Sequence, residues 1–209
     1  MSLNVLGKSW DAFSPKRAKE YLRSFGHPSI GSKKLLTDVL KELNLGEVPS
    51  IIDLGCGNAQ LLEYFQEQKF SCVYAGVDVS DSLLCVAKEM FPNTQFIYDD
   101  VDTLEKVTDK YDIAVYSHVL EIIASPESSL LRAQQFAKKI AIRFFEPPEF
   151  EFDTVELREM EVGDGKMAPY IRRKMSKDYY RLILAKMNCT RVDVYQDQSS
   201  KDQVHILHY

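Results

Sequence analysis

From residue 50 onward the chain alternates between short continuous apolar runs and stretches whose apolar residues recur every three or four positions. Among the continuous runs, Ser50–Leu54 and 140–145 predict strands buried in a parallel sheet, the first on both faces, and 72–78, 95–99 and 111–117 predict further strands. Residues 58–68 carry Leu61, Leu62 and Phe65 at helical spacing. The stretch after Ser80 does the same with Leu83, Leu84 and Ala87, with Ser80 as its N-cap and Pro92 as its stop. Ser125, Pro126 and Glu127 predict another helix start with Ser125 at the N-cap, and Ser176 caps a helix through Met187. Upstream, Leu35, Leu36, Val39, Leu40 and Leu43 share one face of a helix capped by Ser32 and stopped at Gly46. Residues 10–21 are expected to be helical too, with Trp10, Phe13 and Tyr21 serving either as core or as an aromatic lid. Two alternating segments, 190–196 and 203–209, predict a terminal antiparallel pair.

Strand alternating with helix predicts an α/β fold: a doubly wound, mostly parallel seven-stranded sheet with helices on both faces and an antiparallel C-terminal hairpin strand. A single domain over 1–209 is expected, with 1–49 as an N-terminal helical cap. Residues 146–175 read as an insertion, a hairpin or lid, because 146–170 breaks the alternation, opens on two prolines and carries a net charge of −6. Ligands of such a sheet sit at the carboxyl ends of its strands.

The whole chain has 209 residues, 45% of them hydrophobic, which is enough for one substantial core. Its formal net charge of −5 gives no field that would gather phosphate backbones, so a small-molecule partner is expected and nucleic acid is not. No apolar run reaches the eighteen or so residues of a membrane span and no secretion signal opens the chain, so the expectation is a cytoplasmic protein with no membrane partner. The four cysteines show no metal-ligand spacing and read as reduced thiols, so no metal is expected.

The chemistry concentrates at IIDLGCG, 51–57, where Gly55 and Gly57 follow the first strand at the topological switch point. A dinucleotide would need a third glycine where Gln60 stands, and a phosphate-cradling loop would need Gly-Lys-Ser/Thr, which is absent. Asp53 precedes the turn and Asp78 ends the second strand. Carboxylates there repel a pyrophosphate and suit a cationic ligand.

The stretch Asp53-Leu54-Gly55-Cys56-Gly57-Asn58-Ala59 resembles the first motif of the class I S-adenosylmethionine-dependent methyltransferases of the small-molecule type, with Ala59 where a third glycine is frequent. The likeness is strong over residues 50–123 and looser to 145. It implies that Asp53, Gly55, Cys56 and Gly57 hold the methionine part of S-adenosyl-L-methionine and that Asp78 takes the ribose hydroxyls while Val79 flanks the adenine. In YDDVDTL, 98–104, it implies that Asp100, favoured over Asp99, accepts from the adenine amino group and that the Val101 backbone meets the ring. In YDIAVYSHVLEII, 111–123, Ser117 and His118 would face the sulfonium and the acceptor. The ligand set of the metal-dependent branch is missing there, as is the motif of DNA amino-methylating enzymes.

His118 could remove a proton from an acceptor or simply wall the pocket. Glu121, one turn later on the helix expected there, could orient His118, bind a substrate amine or face solvent. Arg172, Arg173 and Lys174 could clamp an acidic group. The expected activity is methyl transfer to oxygen or nitrogen of a small molecule. The alternatives are a non-catalytic cofactor-binding or sensing protein of the same fold and, more remotely, a nucleotide-cofactor oxidoreductase.

Overall fold

A computed structural model describes residues 8–20 and 32–209. A short 3-10 helix, Lys8–Ala12, leads into α1 (Pro15–Glu20), and α2 (Ser32–Glu42) precedes the first strand. There follow β1 (Ser50–Leu54), α3 (Gln60–Glu67), β2 (Val73–Asp78), α4 (Asp81–Met90), β3 (Gln95–Tyr98), β4 (Ile113–Ser117), α5 (Pro126–Ala133) and β5 (Ile140–Phe144). The hairpin β6 (Thr154–Gly163) and β7 (Lys166–Lys174) comes next, then α6 (Lys177–Lys186), β8 (Arg191–Gln196) and β9 (Gln203–His208).

Seven strands form one sheet in the order β3-β2-β1-β4-β5-β9-β8. The first five are parallel, while β9 runs antiparallel to both β5 and β8. The terminal pair therefore enters the sheet through its second strand and leaves β8 at the edge. The antiparallel direction matters for the site, because it carries the β8–β9 turn to the carboxyl ends of the parallel strands.

Apolar clusters cover both faces of the sheet. One centres on Ile52, Leu54, Tyr116, Ile142 and Phe144, and the other on Ile51, Phe65, Ile113, Val115 and Ile206. Strand residues of opposite parity fill opposite clusters, as a sheet with helices on both sides requires. A third cluster joins Phe13 and Ala18 to Leu83 and Val86 of α4 and to Val162 and Ala168 of the hairpin, with Trp10 packed against it. Trp10 also meets Tyr170 edge-on at 6.0 Å. Trp10 and Phe13 thus glue the hairpin to α4, which is their core reading and not the lid. Tyr21 and the side chain of Ser32 lie outside the described residues.

Several local expectations change. The segment 10–21 divides into the 3-10 turn and the short α1 among its described residues. Ser80 and Ser176 cap α4 and α6, accepting from Leu83 N (3.3 Å) and Tyr179 N (3.1 Å). Ser125 precedes Pro126 as expected, yet its side chain makes no cap bond. The capping carboxylate is instead Asp102, which takes the N–H of Ser125 at 2.6 Å and of Ala124 at 3.2 Å. Residues 146–175 do contain a hairpin, turning at Asp164 and Gly165, both with left-handed φ, 54° and 71°. That Asp-Gly pair is the turn chemistry a two-residue hairpin favours.

Candidate functional site

The site begins where β1 ends. Gly55 leaves the strand at φ 82°, and a side chain there would put a Cβ 2.6 Å from Val119 Cγ2, so glycine is required on both counts. Ala59 sits at the N-cap of α3 with φ 62°, fully buried. It therefore adopts the conformation its frequent glycine counterpart would take, at a cost of roughly 1–2 kcal/mol.

The hydrogen-bond pattern of the turn fixes what it can bind. The N–H groups of Gly55 and Cys56 both go to the carbonyl of Val77, at 2.8 and 2.9 Å. That of Gly57 goes to Asp78 Oδ2 at 2.7 Å. The three N–H groups of the turn itself are thus spent inside the protein. The side chains that flank the turn are acidic. Asp53 is 1% exposed; its Oδ2 accepts from the Tyr74 hydroxyl at 2.6 Å, and its Oδ1 is buried without a hydrogen-bond partner. Burial pushes the carboxyls of Asp53 and Asp78 up to about 6. Asp78 also accepts from Ser80 N at 2.9 Å through Oδ1, and Val79 beside it is half-buried. Two acids whose ionised form is penalised by burial make a cradle that a cation or hydroxyl donors would relieve. The residues fit S-adenosylmethionine on that observation. Cys56 is buried with its thiol pushed well up, so it serves as a wall.

The two candidate adenine partners separate clearly. Asp99 is buried and spends both oxygens on backbone, Oδ1 on Asp100 N (2.9 Å) and Oδ2 on Lys106 N (2.7 Å). Asp100 commits only Oδ1, to Asp102 N at 2.9 Å, and its Oδ2 accepts from none of the described residues. Val101 is buried, and its carbonyl accepts from Ser129 Oγ at 2.5 Å.

Ser117 ends β4, and His118 follows at φ 61°, its N–H held by the carbonyl of Arg143 at 2.9 Å. That left-handed residue stops a helix from starting, so 118–124 is a succession of turns and not the helical stretch expected. Glu121 is consequently not stacked one turn from His118. It is fully buried, neither solvent-facing nor paired with the imidazole. Its Oε1 accepts from Phe145 N (2.8 Å) and Glu146 N (3.4 Å), and its own carbonyl accepts Arg173 N at 2.7 Å. Burial raises its carboxyl to about 7. Glu121 braces the wall behind His118.

The partner that His118 does have is Asp202 of the β8–β9 turn, with Oδ2 2.9 Å from Nε2. Beneath them lies Arg143 of β5, 5% exposed and lowered to about 10 by burial, an effect the charges of Asp202 and Glu121 oppose. The His118 ring stands edge-on to Phe145 at 5.2 Å, and the Arg172 guanidinium covers that same phenyl ring at 4.6 Å.

The basic run at the end of β7 is committed elsewhere. Arg172 pairs with Glu146 at 2.9 Å, Arg173 with Asp153 and the Ala124 carbonyl, and Lys174 with Glu156 at 2.9 Å. These cations are paired with acids around the hairpin, which weighs against the anion clamp they could have formed.

Lys33, Arg143 and Asp202 were not singled out by sequence reasoning. Lys33, in the first turn of α2, donates to Gln60 Oε1; burial and the charge of Arg143 lower it to about 8, against the pull of Asp53. No spacing signal marks these residues, since they meet only through the sheet order. Among the described residues no group of acids, cysteines and histidines could hold a metal ion, and no helix is long and apolar enough to cross a membrane.

A family model described as a methyltransferase domain matches residues 29–174. Protein 235L of Invertebrate iridescent virus 6, which bears a methyltransferase name, is 25% identical over 171 residues, 78% of this chain and 59% of that protein. The ubiquinone/menaquinone biosynthesis C-methyltransferase UbiE of Campylobacter jejuni is 30% identical over 112 residues, 51% of this chain and 47% of that one. The chain thus spans about half the length of the curated relatives it matches. Among solved structures, the S-adenosylmethionine-bound amino pentose methyltransferase CalS10 of Micromonospora echinaspora superposes with a TM-score of 0.67 over 90% of this chain and 95% of its own, at 10% identity. That likeness is one of fold.

Proposed function

This chain belongs to the methyltransferase-domain family of class I, S-adenosylmethionine-dependent architecture, and we propose that it transfers the cofactor's methyl group to an oxygen or nitrogen of a small molecule. One observation carries the reading: the glycine turn has its N–H groups satisfied internally while the carboxylates of Asp53 and Asp78 line it. Such a turn favours a ligand with an ammonium group and a ribose diol over a diphosphate.

In this reading Asp53 takes the cofactor's ammonium group through its unpartnered Oδ1, and Lys33 meets its carboxylate. Asp78 accepts from the ribose hydroxyls, with Val79 and Val101 against the adenine and Asp100 accepting from its amino group. Ser117 and His118 border the acceptor. When bound, S-adenosylmethionine supplies an electrophilic methyl group and departs as a neutral thioether. The protein's part is mainly to align and to exclude water, and alignment alone can contribute up to ~7–11 kcal/mol. His118 adds proton acceptance, and Glu121 positions the wall that holds His118. The hairpin closes the acceptor side. The relative named for ubiquinone and menaquinone biosynthesis supports a small acceptor.

Calorimetric titration with S-adenosylhomocysteine tests this. The wild-type chain is expected to bind it and Asp78→Ala to lose detectable binding. Uptake of NADH with none of S-adenosylhomocysteine would replace the reading with the oxidoreductase one.

A further inference from the structure

We propose that Asp202 is the positioning residue for His118: it fixes the imidazole with Nε2 as hydrogen-bond donor, so that Nδ1 is the base that takes a proton from a hydroxyl acceptor. The proposal rests on the methyl-transfer reading above.

A carboxylate only accepts, so the hydrogen shared at 2.9 Å between Asp202 Oδ2 and His118 Nε2 belongs to the imidazole. A neutral imidazole carries one N–H, which leaves Nδ1 with its lone pair. Nδ1 has no hydrogen-bond partner among the described residues, and solvent reaches 31% of the side chain. Burial first, and then the charge of Arg143, lower His118 to about 4, so the ring is in its basic form at neutral pH.

The pair is fixed from both sides. His118 keeps a backbone conformation rare for a side-chain-bearing residue, φ 61°, held by its bond to the Arg143 carbonyl, and its ring is lodged against Phe145. A strained residue persists where the surroundings over-determine it. Asp202 is tied just as firmly: its N–H goes to Ser200 Oγ at 3.1 Å, and its carbonyl accepts from Asp197 N at 3.0 Å and Gln196 Nε2 at 3.1 Å. A plain tie between turn and sheet would not need the strained imidazole.

Such a base suits a hydroxyl. An amine attacks through a free lone pair and can lose its proton afterwards, whereas a hydroxyl is a poor nucleophile until its proton is leaving. As the hydroxyl oxygen bonds to the methyl carbon, the carbon–sulfur electron pair stays with sulfur and the proton passes to Nδ1. The positive charge that started on sulfur then rests on the imidazolium, opposite Asp202, until water removes the proton.

The test uses the full chain labelled with ¹⁵N-histidine and saturated with S-adenosylhomocysteine at pH 7.5. Long-range ¹H–¹⁵N correlation reads the tautomer, and His118→Gln identifies the signal. Wild type should show Nε2–H with an unprotonated Nδ1. Asp202→Asn should mix the tautomers, and Asp202→Glu should restore the first. A wild-type Nδ1–H tautomer, or an unchanged spectrum in Asp202→Asn, overturns the proposal. If Asp202→Asn fails to fold by circular dichroism, the wild-type and Asp202→Glu spectra decide it. Turnover of a panel of simple phenols of graded acidity separates positioning from a structural tie. Asp202→Asn should lower kcat by about 100-fold for the least acidic phenol and progressively less for more acidic ones, with the cofactor KM unchanged. An equal loss across the panel, or a wild type inactive on every phenol, overturns the hydroxyl assignment. A wild type that takes up no S-adenosylhomocysteine overturns the methyl-transfer reading and this proposal with it, whereas uptake with the wrong tautomer overturns this proposal alone.

Discussion

Tyr74 on β2 donates its hydroxyl hydrogen to Asp53 Oδ2 on β1, 2.6 Å away, and both residues are buried. It is the one hydrogen bond the Asp53 carboxyl has among the described residues, and it opposes the burial that pushes this acid up to about 6. Tyr74→Phe removes that donor. The fold should lose about 1–3 kcal/mol, and Asp53 should move further up, so that S-adenosylhomocysteine binding weakens at pH 6 more than at pH 8. Parallel titrations at the two pH values check it; an equal change at both would show that Tyr74 does not tune Asp53.

Gly55→Ala meets two obstacles, φ 82° and the Val119 methyl 2.6 Å from the new Cβ. Pairing it with Val119→Ala removes the steric obstacle and leaves the conformational one, roughly 1–2 kcal/mol. The double variant is expected to melt higher than Gly55→Ala alone and still below Val119→Ala. A double variant no more stable than Gly55→Ala would mean that the Val119 contact is not what excludes a side chain.

Glu121 gives a pH signature. Its folded carboxyl is raised from 4.5 to about 7, so the native state holds the proton more tightly than the unfolded chain. The stability this contributes is present below pH 4.5 and is lost as pH rises through 7. Relative to Glu121→Gln, which keeps an acceptor for Phe145 N, wild type should lose on the order of 3 kcal/mol between those pH values. Denaturant melts of both proteins at pH 4.5 and 7.5 measure the difference; a gap that does not widen would place the ionisation elsewhere.

Asp99 and Asp100 should fail in different ways. Asp99→Ala strands two backbone N–H groups and is expected to lower stability. Asp100→Ala strands one backbone N–H, that of Asp102, so it should lower the melt less than Asp99→Ala does, and should weaken S-adenosylhomocysteine by ~10-fold or more, the worth of one charge-assisted hydrogen bond. It should not weaken an analogue carrying hypoxanthine in place of adenine. Reversal of the two phenotypes would make Asp99 the adenine partner.

Much of this was legible in the sequence because it is local. Strand and helix positions follow from periodicity, and the turn at Gly55 follows from residue type. The register of the sheet then delivers Asp53 and Asp78 to one edge, which alternation of strand and helix already implies. What escaped is long-range or hidden in backbone conformation. Asp102 caps the helix that Ser125 seemed placed to cap, from 23 residues away. The left-handed His118 cancels the helix that would have stacked Glu121 on it, and the residue type histidine gives no sign of φ. Asp202 reaches His118 across 84 residues only because β9 is inserted antiparallel beside β5.

The root of the β6–β7 hairpin is stitched down, Arg173 N to the Glu121 carbonyl and its guanidinium to Ala124, while farther out Leu157 is 67% exposed. The far end is fastened too, with Val162 and Ala168 buried against Phe13, Ala18, Leu83 and Val86, so the hairpin is held at both ends and its exposed side chains lie between. Exposed positions such as Leu157 can therefore be exchanged at little cost, while the buried tip and the stitched root hold the two strands in place.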